Sequence, residues 1–452
     1  MKRLVLNARR RCFEPNQKGG SAIPTGLPVL GILFACLAAV EVAAGEIASA
    51  MLWLAGSALA LCGPLLLRAL ECRKPIAFFV PVFVTYALTS IYFAETASAA
   101  FQVLLTLLAA GLFALGSVSL SENRPWADRG VVLRKHVAWL FTLVSAAVSI
   151  YIFSAHGVPI FSANVAESRI DATANGYLTT VVVTFAQAAM VASFCASSES
   201  MTSAVRWKSI LPGLVSLVLL TAYGNRGFYI FPLVAVAAYL LLRDPGRLRL
   251  LIATAVPVVA LISIVGFARN LQQWGTTYLD DVSQLGLPTG LSFMAPVFSY
   301  FAGTSEAVDQ IIATFPANVP YPQGSVFFSP LVSWLPGEQP SADLFLKSAL
   351  GLDFQGLGLA MGATGGFYMD FGPLGVLIGF LILGIISGQI WKRARTSSSW
   401  FMVYAFLISH LWIINYSHPL PYLTTLAVPV AIVLCVRSVS WTDHQQVGSV
   451  NI

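Results

Sequence analysis

Four basic residues, Arg169, Arg226, Arg269 and Lys347, stand apart from the rest of the 26 Lys and Arg in this chain of 452 residues. The others fall in short stretches that the hydropathy pattern assigns to one side of a membrane, and loops kept on the inner side retain positive charge. A cation on the far side calls for a separate reason. Three of the four are arginines, whose guanidinium stays charged and meets phosphate oxygens through a bidentate fork. Together they suit a pyrophosphate, and fixed cations of this kind stabilise negative charge that grows on phosphate oxygens as a bond breaks.

The local settings differ. Arg226 lies in Tyr223-Gly224-Asn225-Arg226-Gly227, between apolar runs at 209–223 and 228–242. Runs of only about fifteen residues suggest tilted or interrupted helices. Gly224 and Gly227 permit an unwound backbone. A cation held near membrane depth costs about 2.5–3.5 kcal/mol on insertion scales, so Arg226 needs a partner, either a ligand or an outer-loop carboxylate. Arg269 closes the apolar run 250–268, and Arg169 sits in Ala166-Glu167-Ser168-Arg169-Ile170-Asp171. For each, the plain alternative is a side chain snorkelling to headgroups. Lys347, beside apolar Leu346, reads as a surface anchor.

A reaction at such a site also needs a group to remove a proton from an incoming hydroxyl. The outer carboxylates Glu167, Asp171, Glu306, Glu338 and Asp343, and His418 in a short outer turn, are the candidates, each with a solvated loop or turn residue as its bland alternative. His410 lies inside an apolar span and reads as a hydrogen-bonded packing residue. Asp370, at the mouth of a span, is expected to pair with an Arg. The glycines of the run 362–375 match no phosphate loop and point to closely packed helices.

These residues must be positioned by membrane helices. With 57% hydrophobic and 10% charged residues and a mean hydropathy of +0.77, the chain has too much apolar surface for a soluble protein of its size. It reads as an all-α polytopic membrane protein with about twelve transmembrane helices, both termini inside and most of the 20 Asp and Glu outside. The organisation is a basic inner N-terminus at 1–26, helices over 27–155, an outer loop at 156–176, helices over 177–268, a large structured outer loop at 269–370, helices over 371–438 and an inner tail at 439–452. Trp139, Tyr151, Trp391, Trp400, Tyr422 and Trp441 at span ends are expected at the interface. None of the six Cys falls in an outer loop or has metal-ligand spacing, so no disulfide and no metal site is expected. The net charge of +6 reflects orientation, not a nucleic-acid surface. No internal repeat is present, which disfavours a transporter or flippase.

Four patches, 158–171, 223–233, 266–270 and 328–379, resemble the oligosaccharide repeat-unit polymerases, the Wzy-type O-antigen and common-antigen polymerases. The clearest parts are Gly224-Asn225-Arg226-Gly227, Pro330-Leu331-Val332-Ser333-Trp334-Leu335-Pro336-Gly337 and the run from Gly362 to Gly375. The resemblance implies a GT-C-like architecture in the bacterial inner membrane. It implies an enzyme, a metal-independent glycosyltransferase without cofactor, that joins glycan repeat units carried on undecaprenyl diphosphate at the periplasmic face, with a chain-length regulator and a flippase as partners. Arg169, Arg226 and Arg269 would then hold the diphosphate. Glu306 resembles an acidic position of the family and leads Glu167, Asp171 and His418 as the base. An O-antigen ligase of similar architecture is the near alternative.

Overall fold

The computed structural model describes residues 97–118, 129–162, 165–199, 203–244, 295–329, 342–352, 361–414 and 423–440, with isolated positions between 74 and 79 and between 263 and 293. Arg269, Glu338, His418, the spans before Ala97 and most of the span 250–268 lie outside the described residues, as do Tyr422, Trp441 and the motif 330–337.

Among the described residues the chain is helical, apart from one pair of short strands. In order, it forms α1 (Ala97–Val118), β1 (Arg129–Leu133), α2 (Lys135–His156), a 3-10 turn (Pro159–Phe161), α3 (Val165–Thr173), α4 (Gly176–Glu199), α5 (Ser203–Ala222), α6 (Arg226–Arg243), α7 (Ala295–Thr314), α8 (Ala342–Ala349), α9 (Gly362–Ala394), α10 (Ser398–Ile413), α11 (Leu423–Cys435) and β2 (Val436–Ser440). Among the described residues, three helices, α2, α4 and α9, are long and apolar enough to cross a membrane.

α4 is the central element. It packs against α2, α5, α6 and α11. Ala186, Ala188, Ala189, Ala192 and Ala196 are all buried, and small side chains let neighbouring helices approach closely. α2 lies at the edge. Its Leu140, Leu143, Ile150 and Tyr151 are 57–66% exposed. Such a stripe is costly in water and at home against lipid tails. Two large apolar cores stand out among the described residues. One joins α2, α4, α6, the end of α9, α10, α11 and the strands. The other joins α1, α7, α8, α9 and the segment 315–327. α9 and α10 belong to both, and Leu407 of α10 packs against each.

α1 and α9 make a close pair. A side chain on Gly384 would meet the Phe113 carbonyl oxygen at 2.3 Å, and one on Gly116 would meet the Leu381 carbonyl oxygen at 2.6 Å. Gly388, one turn beyond Gly384, faces the Ser117 carbonyl oxygen at 3.0 Å. This Gly-x-x-x-Gly spacing is the signal for a close backbone crossing. Within the run 362–375, Gly365 packs against Ile311 and Val308 of α7, as close packing predicts.

Several expectations change. α5 and α6 have 20 and 18 residues, longer than their apolar runs, because their polar end turns stay helical. α9 starts at Gly362 rather than near Phe371, and bends at Gly372 (φ 67°, ψ −161°) ahead of Pro373. Trp391 is buried rather than interfacial, with the Arg395 guanidinium 4.9 Å from its ring centre. Lys347 is 7% exposed and so is no surface anchor; α8 turns it inward beside the fully buried Leu346.

The antiparallel strands pair Arg129 with Ser440 through Leu133 with Val436. They tie the start of α2 to the end of α11. Beneath them, Glu199 at the end of α4 accepts the Val131 N–H at 2.6 Å and the Tyr239 hydroxyl, and its carboxylate lies 3.4 Å from Arg243 Nε. One buried carboxylate thus joins β1, α4 and α6.

Candidate functional site

At the opposite end from the strands, the chain breaks between α5 and α6. α5 stops at Ala222. Gly224 takes a left-handed conformation (φ 65°) and donates to the Thr221 carbonyl at 2.9 Å, a geometry that suits glycine at a helix end. Asn225 then caps α6, its side-chain oxygen accepting the Gly227 N–H at 3.1 Å. Arg226 is therefore the first residue of α6. The positive end of a helix dipole disfavours a cation by about 0.3–1 kcal/mol and favours an anion by a similar amount. A cationic residue type at this position is matched by an anion that meets both.

The turn is held from behind. Tyr223 is fully buried, donates to Ser149 Oγ of α2 at 3.3 Å, and packs with Phe153 and Phe228. Its cluster includes Ile152 of α2, Val182 of α4 and Ala172 of α3. Through Ala172, the short helix α3, which packs against α2 and the 3-10 turn, joins the same apolar cluster as Tyr223. Arg169 lies three residues before Ala172, on the same helical face, and is half-buried. Glu167 and Asp171, one turn apart, share another face and are exposed. Ala172 of α3 and Phe228 near the start of α6 thus meet the same apolar cluster.

Glu306 stands elsewhere. α7 packs against α1 and α9, and Glu306 is exposed there, accepting from the Gln310 side chain at 3.3 Å. Its neighbours Thr304 and Ser305 point inward, 1% exposed.

Asp370 anchors the chain that follows α7. It is fully buried, and its Oδ1 accepts the Gly324 N–H at 2.8 Å. The kink at Gly372 interrupts the helix ladder, and the Asp370 carbonyl accepts from Gln323 N–H at 3.2 Å. Tyr321 closes over the kink, where a side chain on Gly372 would come within 2.9 Å of its hydroxyl. Asp370 therefore organises a loop through backbone N–H groups instead of pairing with an Arg.

His410, read as a packing residue, sits on α10 with its ring 5.6 Å from Phe231 of α6 and 4.5 Å from Phe406. Phe231 in turn folds back over Gly227, 3.3 Å from where a side chain there would begin. Nothing in the sequence links position 410 to the break, since α6 and α10 are far apart in the chain.

The lipid-compatible helices, their small-residue interior and the polar break define a helical membrane protein. Residues 24–416 match the family described as "Putative O-antigen polymerase", and the chain belongs to that family. No curated protein and no solved structure matches it.

Proposed function

We propose that this protein joins oligosaccharide repeat units carried on undecaprenyl diphosphate into a surface polysaccharide, at the periplasmic face of the bacterial inner membrane. The family supports a polymerase of glycans and a membrane setting. The observation that supports the finer reading is the apolar cluster shared by Ala172 of α3 and Tyr223 at the break, which sets the helix carrying Arg169 at the same end of the bundle as the start of α6.

In this reading Arg169, Arg226 and Arg269 hold the donor diphosphate. As the bond between the anomeric carbon and the phosphate oxygen breaks, negative charge grows on the leaving group, and cations already in place lower the barrier. The positive end of α6 acts in the same sense. The chemistry needs no metal, because the guanidinium groups supply the charge that a metal would. For the proton of the attacking hydroxyl, the sequence offers Glu167, Asp171, Glu306 and His418. The twelve-span, GT-C-like arrangement and the partnership with a flippase and a chain-length regulator belong to the same proposal.

The test is Arg226→Ala in a strain lacking the native gene. The variant is expected in the membrane at normal abundance, with surface glycans reduced to single capped repeats. Chains of normal length would remove the arginine clamp. Long chains accumulating on undecaprenyl diphosphate after deletion of the gene would instead assign the protein to ligation.

A further inference from the structure

His410 carries a lone pair that packing does not explain. The carbonyl oxygen of Phe406 accepts from the Ser409 hydroxyl at 2.7 Å and lies 3.1 Å from His410 Nδ1. A carbonyl only accepts, so Nδ1 is the donor. The Ser409 oxygen, 3.4 Å from Nδ1, has already committed its proton and is likewise an acceptor. Both contacts specify the tautomer with hydrogen on Nδ1. The other ring nitrogen, Nε2, keeps its lone pair and has no hydrogen-bond partner among the described residues.

The ring is fixed as well as oriented. It is tilted between Phe231 and Phe406, and the residue stays partly exposed. It stands near the end of α10 remote from Arg393 and Arg395, one aromatic ring away from the turn that begins with Arg226. A neutral imidazole oriented by a carbonyl at one nitrogen and open at the other is the arrangement of a general base.

We propose that His410 is the proton acceptor of the glycosyl transfer, an inference that rests on the polymerase reading. The acceptor hydroxyl gives its proton to Nε2. Its oxygen forms the new bond to the donor's anomeric carbon, while the bond from that carbon to the diphosphate oxygen breaks and its electron pair leaves on undecaprenyl diphosphate. The imidazolium then passes its extra proton to the departing phosphate or to water.

The experiment uses the full chain in proteoliposomes with a synthetic undecaprenyl-diphosphate-linked repeat unit. In His410→Asn, the amide N–H can still serve the Phe406 carbonyl, but no base remains. Turnover is expected to fall by about 10²–10⁴, the range for a positioned general base, with KM held. In His410→Gly, added imidazole is expected to restore turnover. Pyrrole, equal in shape but without the free lone pair, is expected not to. Turnover of His410→Asn comparable to wild type would overturn the assignment and leave the polymerase reading standing, and rescue by pyrrole equal to that by imidazole would reduce His410 to packing. Should the wild-type protein form no glycosidic bond, both the base and the polymerase reading fall.

Discussion

The side-chain amide of Gln187 donates to the backbone carbonyl of Phe228 at 2.8 Å, and Phe228 is four residues before Pro232. In an uninterrupted helix, the N–H of residue 232 would serve that carbonyl, but proline has none. Gln187, 5% exposed in the centre of α4, supplies the missing donor from a neighbouring helix. The first turns of α6, which begin with Arg226, are thereby tied to the central helix. Gln187→Leu removes the donor and leaves a buried carbonyl unpaired, at a cost of about 1–3 kcal/mol. A lower unfolding temperature in detergent measures this, with the Gln187→Glu variant as a control that keeps the volume and loses the amide.

Glu199 ties β1, α4 and α6 together at the other end. Glu199→Ala removes at once the acceptor of the Val131 N–H and of the Tyr239 hydroxyl and the carboxylate beside Arg243. Leaving a buried donor unpaired costs about 1–3 kcal/mol, so the variant should accumulate poorly and unfold early. Arg243→Met, which removes the partner that is 27% exposed, should be milder. Protease cleavage between α1 and α2 in inverted vesicles is the direct readout of whether the strand pair stays closed.

The kink in α9 is a third point of attack. Gly372→Ala places a side chain at positive φ, costing about 1–2 kcal/mol, and drives it into the Tyr321 hydroxyl. The loop 320–329 should become open to proteolysis. Asp370→Ala should produce the same phenotype by releasing Gly324, whereas Asp370→Asn retains an oxygen that can accept the Gly324 N–H and should behave more nearly as wild type.

Gly384→Val tests the close pair α1–α9. Its side chain overlaps the backbone at Phe113, so the helices must separate or the protein must fail to assemble. A cysteine crosslink engineered across the pair near Gly116 and Leu381 is expected to form in the parent and to be lost in the variant.

Arg226→Lys keeps a cation at the start of α6 and loses the two-pronged guanidinium. On the diphosphate reading, a point charge only partly replaces it. Glycan chains should shorten without disappearing, between wild type and Arg226→Ala. Gel separation of the surface polysaccharide orders the three.

Among the described residues, the helices that follow the apolar runs and the break at Tyr223–Gly227 were legible from the sequence, although α9 begins well ahead of its apolar run. Each is a local property: how many consecutive residues tolerate lipid, and where Gly and Asn permit a helix to stop and restart. The same holds for the Gly372–Pro373 kink, which lies within the glycine run 362–375, and for the Gly384–Gly388 spacing beyond it. Positions paired across the chain were not legible. Val131 and Ser438 belong to stretches that read as a basic loop and the end of a span, and only their meeting makes a sheet. Lys347 reads as exposed because its charge suggests water, yet α8 turns it into the interior. Asp370 seeks an Arg on paper and finds backbone N–H groups instead. His410, one polar ring in an apolar run, acquires a chemical meaning only when α10 sets it beside Phe231. Hydropathy and chain stiffness act along the sequence, so a single chain records them. A hydrogen-bond partner or an adjacent face depends on which helices pack together, and that is decided by the assembled bundle.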